Sequence, residues 1–283
     1  MSMLKFYCFI LSMQKTFITE TVSFLQSKNI TQPVAGIVLG TGLNSLVNEI
    51  EITESFSYDE LPYFPVSTVE FHKGNLLFGK IADKPIVVMQ GRFHYYEGYS
   101  MQQITYPIRV MKELGIQYLL LSNAAGGLNP GYKKGDLIIT RDHINLLPDN
   151  PLRGLGNEFG NRFVDMSKPY SDELADILSK AFAKENVAVK KGVYVSVMGP
   201  NLETSAEYRW LRNTGADMVG MSTVPEVIVA NQVGIKCAAI SVITDECDPD
   251  NLQPVNISEI IEVAGIADKK LSKIFIEVIK SLA

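Results

Sequence analysis

Short runs of consecutive apolar residues alternate along this chain with stretches in which apolar positions recur every three or four residues. The first pattern suits strands buried on both faces, and the second suits helices with one face on a core. Strands are predicted at residues 34–39, 76–81, 86–90, 118–122, 137–140, 193–198, 218–221 and 235–244. Helices are predicted at 15–28, 101–114, 172–185, 205–213, 224–233 and 258–282. In the third helix Leu174, Ile177, Leu178 and Phe182 share one face. Thr204 with Glu207, and Thr223 with Glu226, have capping-box spacing. Pro225 sits where a missing N–H costs nothing, and Gly234 stands where a C-cap is expected. Strands and helices alternating from end to end predict a single α/β domain. The polar stretch 147–170, rich in Gly, Pro and Asn, is predicted to be a long functional or partner-bound loop.

Composition narrows the function classes. The chain has 283 residues, 46% hydrophobic and 20% charged, with a formal net charge of −5. That balance carries no basic footprint for nucleic acid, so an anionic ligand must be held by local groups. Three cysteines without C-x-x-C spacing point to free thiols in a reducing, cytoplasmic setting. Three histidines with no H-x-x-x-H pair make a zinc site unexpected. The apolar run from Phe6 to Leu11 is too short to span a membrane and has no small-residue cleavage site after it. Residues 1–12 are therefore expected to be an extra, disordered extension before a start at Met13, with the domain occupying 13–283.

Candidate chemistry collects where apolar runs end, which is where α/β proteins bind ligands. Gly40-Thr41-Gly42 is either a tight turn or an anion nest; Ser45 stands where a dinucleotide fingerprint needs glycine. Arg92 and His94, two residues apart after a strand, suit phosphate, one with a planar fork and the other with an added donor. Asn123-Ala124-Ala125-Gly126-Gly127 leaves bare backbone for a flat ligand, or for close packing of another element. Glu203 follows Gly199-Pro200, and Met221-Ser222 precedes a helix start; each alone also reads as strand–turn–helix scaffolding. The last strand ends on Thr244 and Asp245.

Together these segments resemble a purine nucleoside phosphorylase of the trimeric, nucleoside phosphorylase I type. The resemblance rests on GTGL at 40–43, STV with His72 at 67–72, GRFHYYEGY at 91–99, NAAGGLN at 123–129, RDHINL at 141–146, FGNRF at 159–163, GPNLET at 199–204 and GADMVGMSTVPEVIVA at 215–230. It implies a central mixed, twisted sheet or distorted barrel flanked by helices. It also implies phosphorolysis of purine nucleosides without metal or organic cofactor, with inorganic phosphate as co-substrate. By position, phosphate would meet Thr41, His72, Arg92, His94, the Ala124 N–H and Ser222. Ribose would meet Tyr96, Met221 and Ser258, with Phe159 supplied by the neighbouring subunit of a homotrimer. The base would lie over Ala124, Ala125, Gly126 and Leu202, with Glu203, Thr244 and Asp245 at its edge. His94, Glu203 and Asp245 would be the catalytic groups, and His143 structural.

Several positions depart from the family pattern. Thr41 and Leu202 replace a usual serine and a common phenylalanine, and the family's 5′-hydroxyl histidine falls near Ser258. Asp245 stands where 6-oxopurine enzymes usually carry asparagine, whereas relatives acting on 6-aminopurines, including methylthioadenosine phosphorylase, carry aspartate. Glu203 pulls the other way, because its carboxylate accepts from an N1–H that adenine lacks. The expectation is 6-oxopurine preference set by Glu203 and broadened by Asp245, with a methylthioadenosine or 6-aminopurine enzyme as the alternative. A binding module without catalysis would be expected to lack Arg92 or His94, and a nicotinamide-dependent dehydrogenase would need the missing third glycine.

Overall fold

The computed structural model describes residues 3–69 and 72–283, with side chains from residue 14 onward. In chain order the elements are α1 (Met3–Gln26), β1 (Ala35–Leu39), β2 (Glu51–Ser57), β3 (Asn75–Ile81), β4 (Lys84–Gln90), α2 (Met101–Glu113), β5 (Tyr118–Gly127), β6 (Leu137–Asn145), α3 (Asp172–Lys184), β7 (Lys190–Ser196), α4 (Ser205–Asn213), β8 (Met218–Gly220), α5 (Val224–Gln232), β9 (Lys236–Glu246) and α6 (Ile257–Ser281). Strand order is β2-β3-β4-β1-β5-β8-β7-β6-β9, and β9 pairs back onto β5. That closure makes a five-stranded mixed barrel of β5, β8, β7, β6 and β9, with the other four strands extending from it as a sheet.

Strand β5 is the hub. Leu119, Leu120 and Leu121 are fully buried, as a strand covered on both faces requires. It runs parallel to β1 on one side and to β9 on the other, and β1 runs parallel to β4. The C-terminal ends of these four strands therefore share one end of the sheet. One core layer joins α1, α2 and α5 to the sheet, and a second joins α3 and α6. Among the described residues no helix is long and apolar enough to cross a membrane.

The expected strands and helices all form, with instructive differences. Strand β2 was not expected: it is an edge strand paired only with β3, and of its seven residues only Phe56 is buried, so it lacks an apolar run. Strand β5 was expected to break at Ser122, yet it stays paired to β9 through Gly127. Strand β6 likewise runs past Thr140 to Asn145, through an irregularity in its pairing with β7. Helix α1 begins at Met3 rather than near Lys15. The Thr204–Glu207 capping box forms at α4 as expected. The Thr223–Glu226 box at α5 does not, because both side chains are engaged elsewhere.

Gly40, at the end of β1, lies so close to β5 that an added Cβ would sit 2.8 Å from both Asn123 Cα and Ser122 O. Backbone cannot yield there as a flexible side chain would. Gly40→Ala is expected to cost about 1–3 kcal/mol through overpacking, read as a lower midpoint in urea or thermal unfolding.

Candidate active site

The converging strand ends line an open cavity of about 160 Å³. Thr41 reaches it from the turn after β1, and Arg92, His94 and Tyr96 from the segment after β4. Asn123, Ala124, Ala125 and Gly126 line it from β5; Val219, Gly220, Met221 and Ser222 line it from the end of β8. Leu202 and Glu203 enter just before α4, which adds Tyr208; Thr244 and Asp245 stand at the tip of β9, and Ile260 comes from α6.

One end of the cavity is built around Arg92. Arg92 is only 1% exposed, and its Nε donates to Glu226 Oε1 at 3.1 Å. Its Nη1 donates to the Ser122 carbonyl at 2.6 Å and to Ser222 Oγ at 3.2 Å. Its Nη2 is buried with no hydrogen-bond partner, as is Asn123 Oδ1. Buried donors are nearly always satisfied, so a cavity-lining arginine with a free nitrogen is a ready anion receptor. Thr223 stands beside it with φ of +70°, a left-handed conformation uncommon for a β-branched residue. Its hydroxyl accepts from Asn123 Nδ2 at 2.9 Å instead of capping α5.

Two histidines flank that arginine. His94 makes a 3.0 Å contact through Nδ1 with Glu97 Oε1, which also accepts the His94 backbone N–H at 2.7 Å. Burial lowers the His94 pKa, against the raising effect of Glu97. Burial alone would raise Glu97, but hydrogen bonds from His94 and Thr68 outweigh it and hold the carboxyl at about 2. His72 Nδ1 lies 2.9 Å from the Arg92 carbonyl, and Nε2 lies 3.2 Å from Thr41 Oγ1. Burial, followed by the neighbouring His94 and Arg92, lowers His72 to about 4. At neutral pH the ring next to Arg92 is thus uncharged. Gly91 makes this packing possible, since a Cβ there would fall 2.7 Å from His72 Cβ.

The far end carries carboxyls. Asp245 Oδ1 lies 3.0 Å from Thr244 Oγ1, and Oδ2 lies 3.1 Å from Cys247 Sγ. Burial raises the Glu203 pKa, opposed by a hydrogen bond with Tyr208, while the Asp245 charge adds to the rise. Between the two ends runs a wall of small residues on β5, and Met221 and Leu202 also line the cavity.

Of the residues expected to contact phosphate, ribose or base, the structure gathers all but three into this one cavity. His72 stands just behind it through its Thr41 contact. Ser258 lies exposed in the first turn of α6, its N–H accepted by the Asn256 cap, and Ile260 is the α6 residue that lines the cavity. Phe159 lies in a different cleft, 4.3 Å from the Arg109 guanidinium of its own chain. His143 sits edge-on to Tyr170, 5.8 Å between ring centroids, outside the cavity. Sequence reasoning missed Asn123, Thr223, Glu226, Tyr208 and Cys247 as members of the site. Thr223 and Glu226 looked like a helix cap, and their actual partners, Asn123 and Arg92, are remote in sequence.

Comparison with known proteins agrees with this geometry. A family model described as the phosphorylase superfamily matches residues 34–280. The chain is 44% identical over 269 residues to purine nucleoside phosphorylase 1 of Bacillus subtilis strain 168, covering 95% of this chain and 98% of that protein. It is 43% identical to the purine nucleoside phosphorylase of Bos taurus, over 90% of this chain and 91% of that one. Isoform 2 of Schistosoma mansoni purine nucleoside phosphorylase, solved in complex with cytosine and ribose-1-phosphate, superimposes with a TM-score of 0.86 at 38% identity, covering 95% and 97% of the two chains. The chain belongs to the phosphorylase superfamily, among its purine nucleoside phosphorylases.

Proposed function

We propose that the protein catalyses reversible phosphorolysis of purine nucleosides, acting in the cytoplasm and taking inorganic phosphate as co-substrate. The observation that carries the reading is the buried, unpartnered Arg92 Nη2 at one end of a cavity whose other end presents Glu203 and Asp245. Phosphate would sit against Arg92, Ser222, Thr41, His94 and the Ala124 N–H, with His72 backing Thr41. Ribose would lie by Tyr96 and Met221, and the purine over Ala124, Ala125 and Gly126, with Leu202 opposite. The C1′–N9 bond breaks as a phosphate oxygen bonds to C1′. The phosphate charge stabilises the oxocarbenium-like sugar in a site shielded from water. Electron density left on the base is met at its edge by a proton or hydrogen bond.

Glu203 would accept from the N1–H of hypoxanthine or guanine; adenine would face it with an acceptor, at a loss of about 1–3 kcal/mol. Inosine and guanosine are therefore the favoured substrates, with Asp245 extending the range towards 6-aminopurines. A second reading, a methylthioadenosine or 6-aminopurine nucleoside phosphorylase, draws on Asp245 and on the apolar Ile260 lining the cavity while Ser258 lies outside it. Phe159 lies too far from its own cavity to serve it, which supports a homotrimer in which each chain completes a neighbour's ribose site.

Base release from inosine, guanosine, adenosine and methylthioadenosine, with and without phosphate, tests the reading; release that does not depend on phosphate overturns it. Glu203→Ala is expected to lower kcat/KM for inosine about tenfold or more, the loss of a hydrogen bond to a charged group. Asp245→Asn is expected to lower the adenosine-to-inosine ratio of kcat/KM. Glu226→Gln leaves Arg92 without its countercharge; phosphate KM should rise about tenfold, and stability should drop by a share of the about 3–5 kcal/mol that breaking a buried pair costs. Light scattering should give three times the chain mass; a monomer with full activity would rule out the shared Phe159.

A further inference from the structure

Cys247 has no part in the chemistry above, yet it touches the group on which base choice turns. It follows the tip of β9 and is 1% exposed. Its backbone N–H donates to the Gly127 carbonyl at 2.9 Å, and its own carbonyl accepts from Arg212 Nη2 at 3.3 Å, so the residue is held from both sides. Its Sγ–H donates to Asp245 Oδ2 at 3.1 Å. The other oxygen, Oδ1, takes the Thr244 hydroxyl at 3.0 Å. Gly126 leaves room for this arrangement: a Cβ there would lie 2.5 Å from Cys247 Sγ and 3.3 Å from Asp245 Oδ2. The Tyr208 hydroxyl lies near both the thiol and Glu203; burial, then each of these two, raises its pKa. Burial, then the Asp245 charge, pushes the Cys247 thiol pKa far up, so it remains a donor at every working pH.

We propose that Cys247 is a specificity-determining positioning residue, whose thiol acts through Asp245 to favour purine nucleosides bearing a 6-amino group. The inference rests on the placement of the purine edge proposed above. With each oxygen already accepting one hydrogen from the protein, Asp245 faces the cavity as an acceptor in a fixed plane. The exocyclic N–H of a 6-aminopurine can donate to such a group, whereas the O6 of a 6-oxopurine is a second acceptor and is repelled. Removing the thiol frees Oδ2 to rotate away, which relaxes the discrimination.

The bland role for Cys247 is packing, since it belongs to a buried cluster with Leu128, Val195, Tyr208, Leu211 and Val219. Three variants of the full chain separate the two roles: Cys247→Val keeps bulk and loses the donor, Cys247→Ser keeps a donor, and Cys247→Ala loses both. The readout is the ratio of phosphate-dependent kcat/KM for adenosine to that for inosine. The ratio is expected to fall about tenfold in the Val and Ala variants, the usual effect of one hydrogen bond to a charged group, and to stay within about threefold of wild type in the Ser variant. If the Ala variant does not fold, the Val variant is read alone. An unchanged ratio in the Val variant overturns the proposal. So does an equal loss on both substrates in all three variants, or a wild-type enzyme that cleaves inosine but not adenosine. A wild-type protein releasing base from neither nucleoside removes the reading of the site itself, and this proposal with it.

Discussion

Arg92 emerges from the end of β4 into a region almost free of water, and its charge is met there by Glu226 in the first turn of α5. A guanidinium in such a place is tolerated only when a countercharge and further hydrogen bonds compensate it. The carbonyl of Ser122 on β5 and the hydroxyl of Ser222 after β8 occupy two of the remaining contacts. One side chain thereby fastens three separate stretches of chain at a single point, and a nitrogen is left over on the cavity side. The α5 terminus adapts to this role. Its N-cap threonine adopts a left-handed backbone and turns its hydroxyl to Asn123, and the glutamate that would complete the cap faces the arginine instead.

The opposite end of the cavity depends on barrel closure. Strand β9 reaches Thr244 and Asp245 only because it stays paired to β5 as far as Gly127, beyond the point where β1 has ended. The small residues of β5 allow that approach and form the flat wall between the two ends. The result is a polarised site, with an unpartnered guanidinium nitrogen at one end and two carboxyls at the other. A ligand with an anionic group and an N–H edge matches that polarity, and binding groups fixed in advance lose little on reorganisation when charge develops. The neutral histidines fit the same scheme: kept uncharged by burial, they add hydrogen-bonding capacity beside Arg92 without a second buried charge.

Much of this was legible in the chain. The apolar runs located eight of the strands, and the residue types at their ends marked most of the cavity, because a buried strand that suddenly yields Arg-x-His or Thr-Asp is seldom packing alone. The edge strand β2 was not legible, since a strand covered on so little of its surface has no hydrophobic signature. Nor was the continuation of β5 through Asn123–Gly127, where glycine and alanine read as loop while a neighbouring strand supplies the hydrogen bonds. Ser258, aligned to the sugar's 5′ end, stands outside the cavity lining, where Ile260 of the same helix is found, and Phe159 lies in a separate cleft of its own chain.

What the sequence determined by itself is therefore local: which stretches are apolar enough to be strands, which faces of helices are buried, and which reactive groups stand at strand ends. These follow from side-chain periodicity and need no knowledge of distant partners. The tertiary structure alone decided which strand ends meet, which oxygen of Asp245 accepts the thiol, and whether Glu226 caps a helix or pairs with Arg92. The last choice has a clear cause. A cap contributes about 1 kcal/mol, whereas an uncompensated buried guanidinium costs several kcal/mol, so the remote contact prevails over the local one that the sequence spells out.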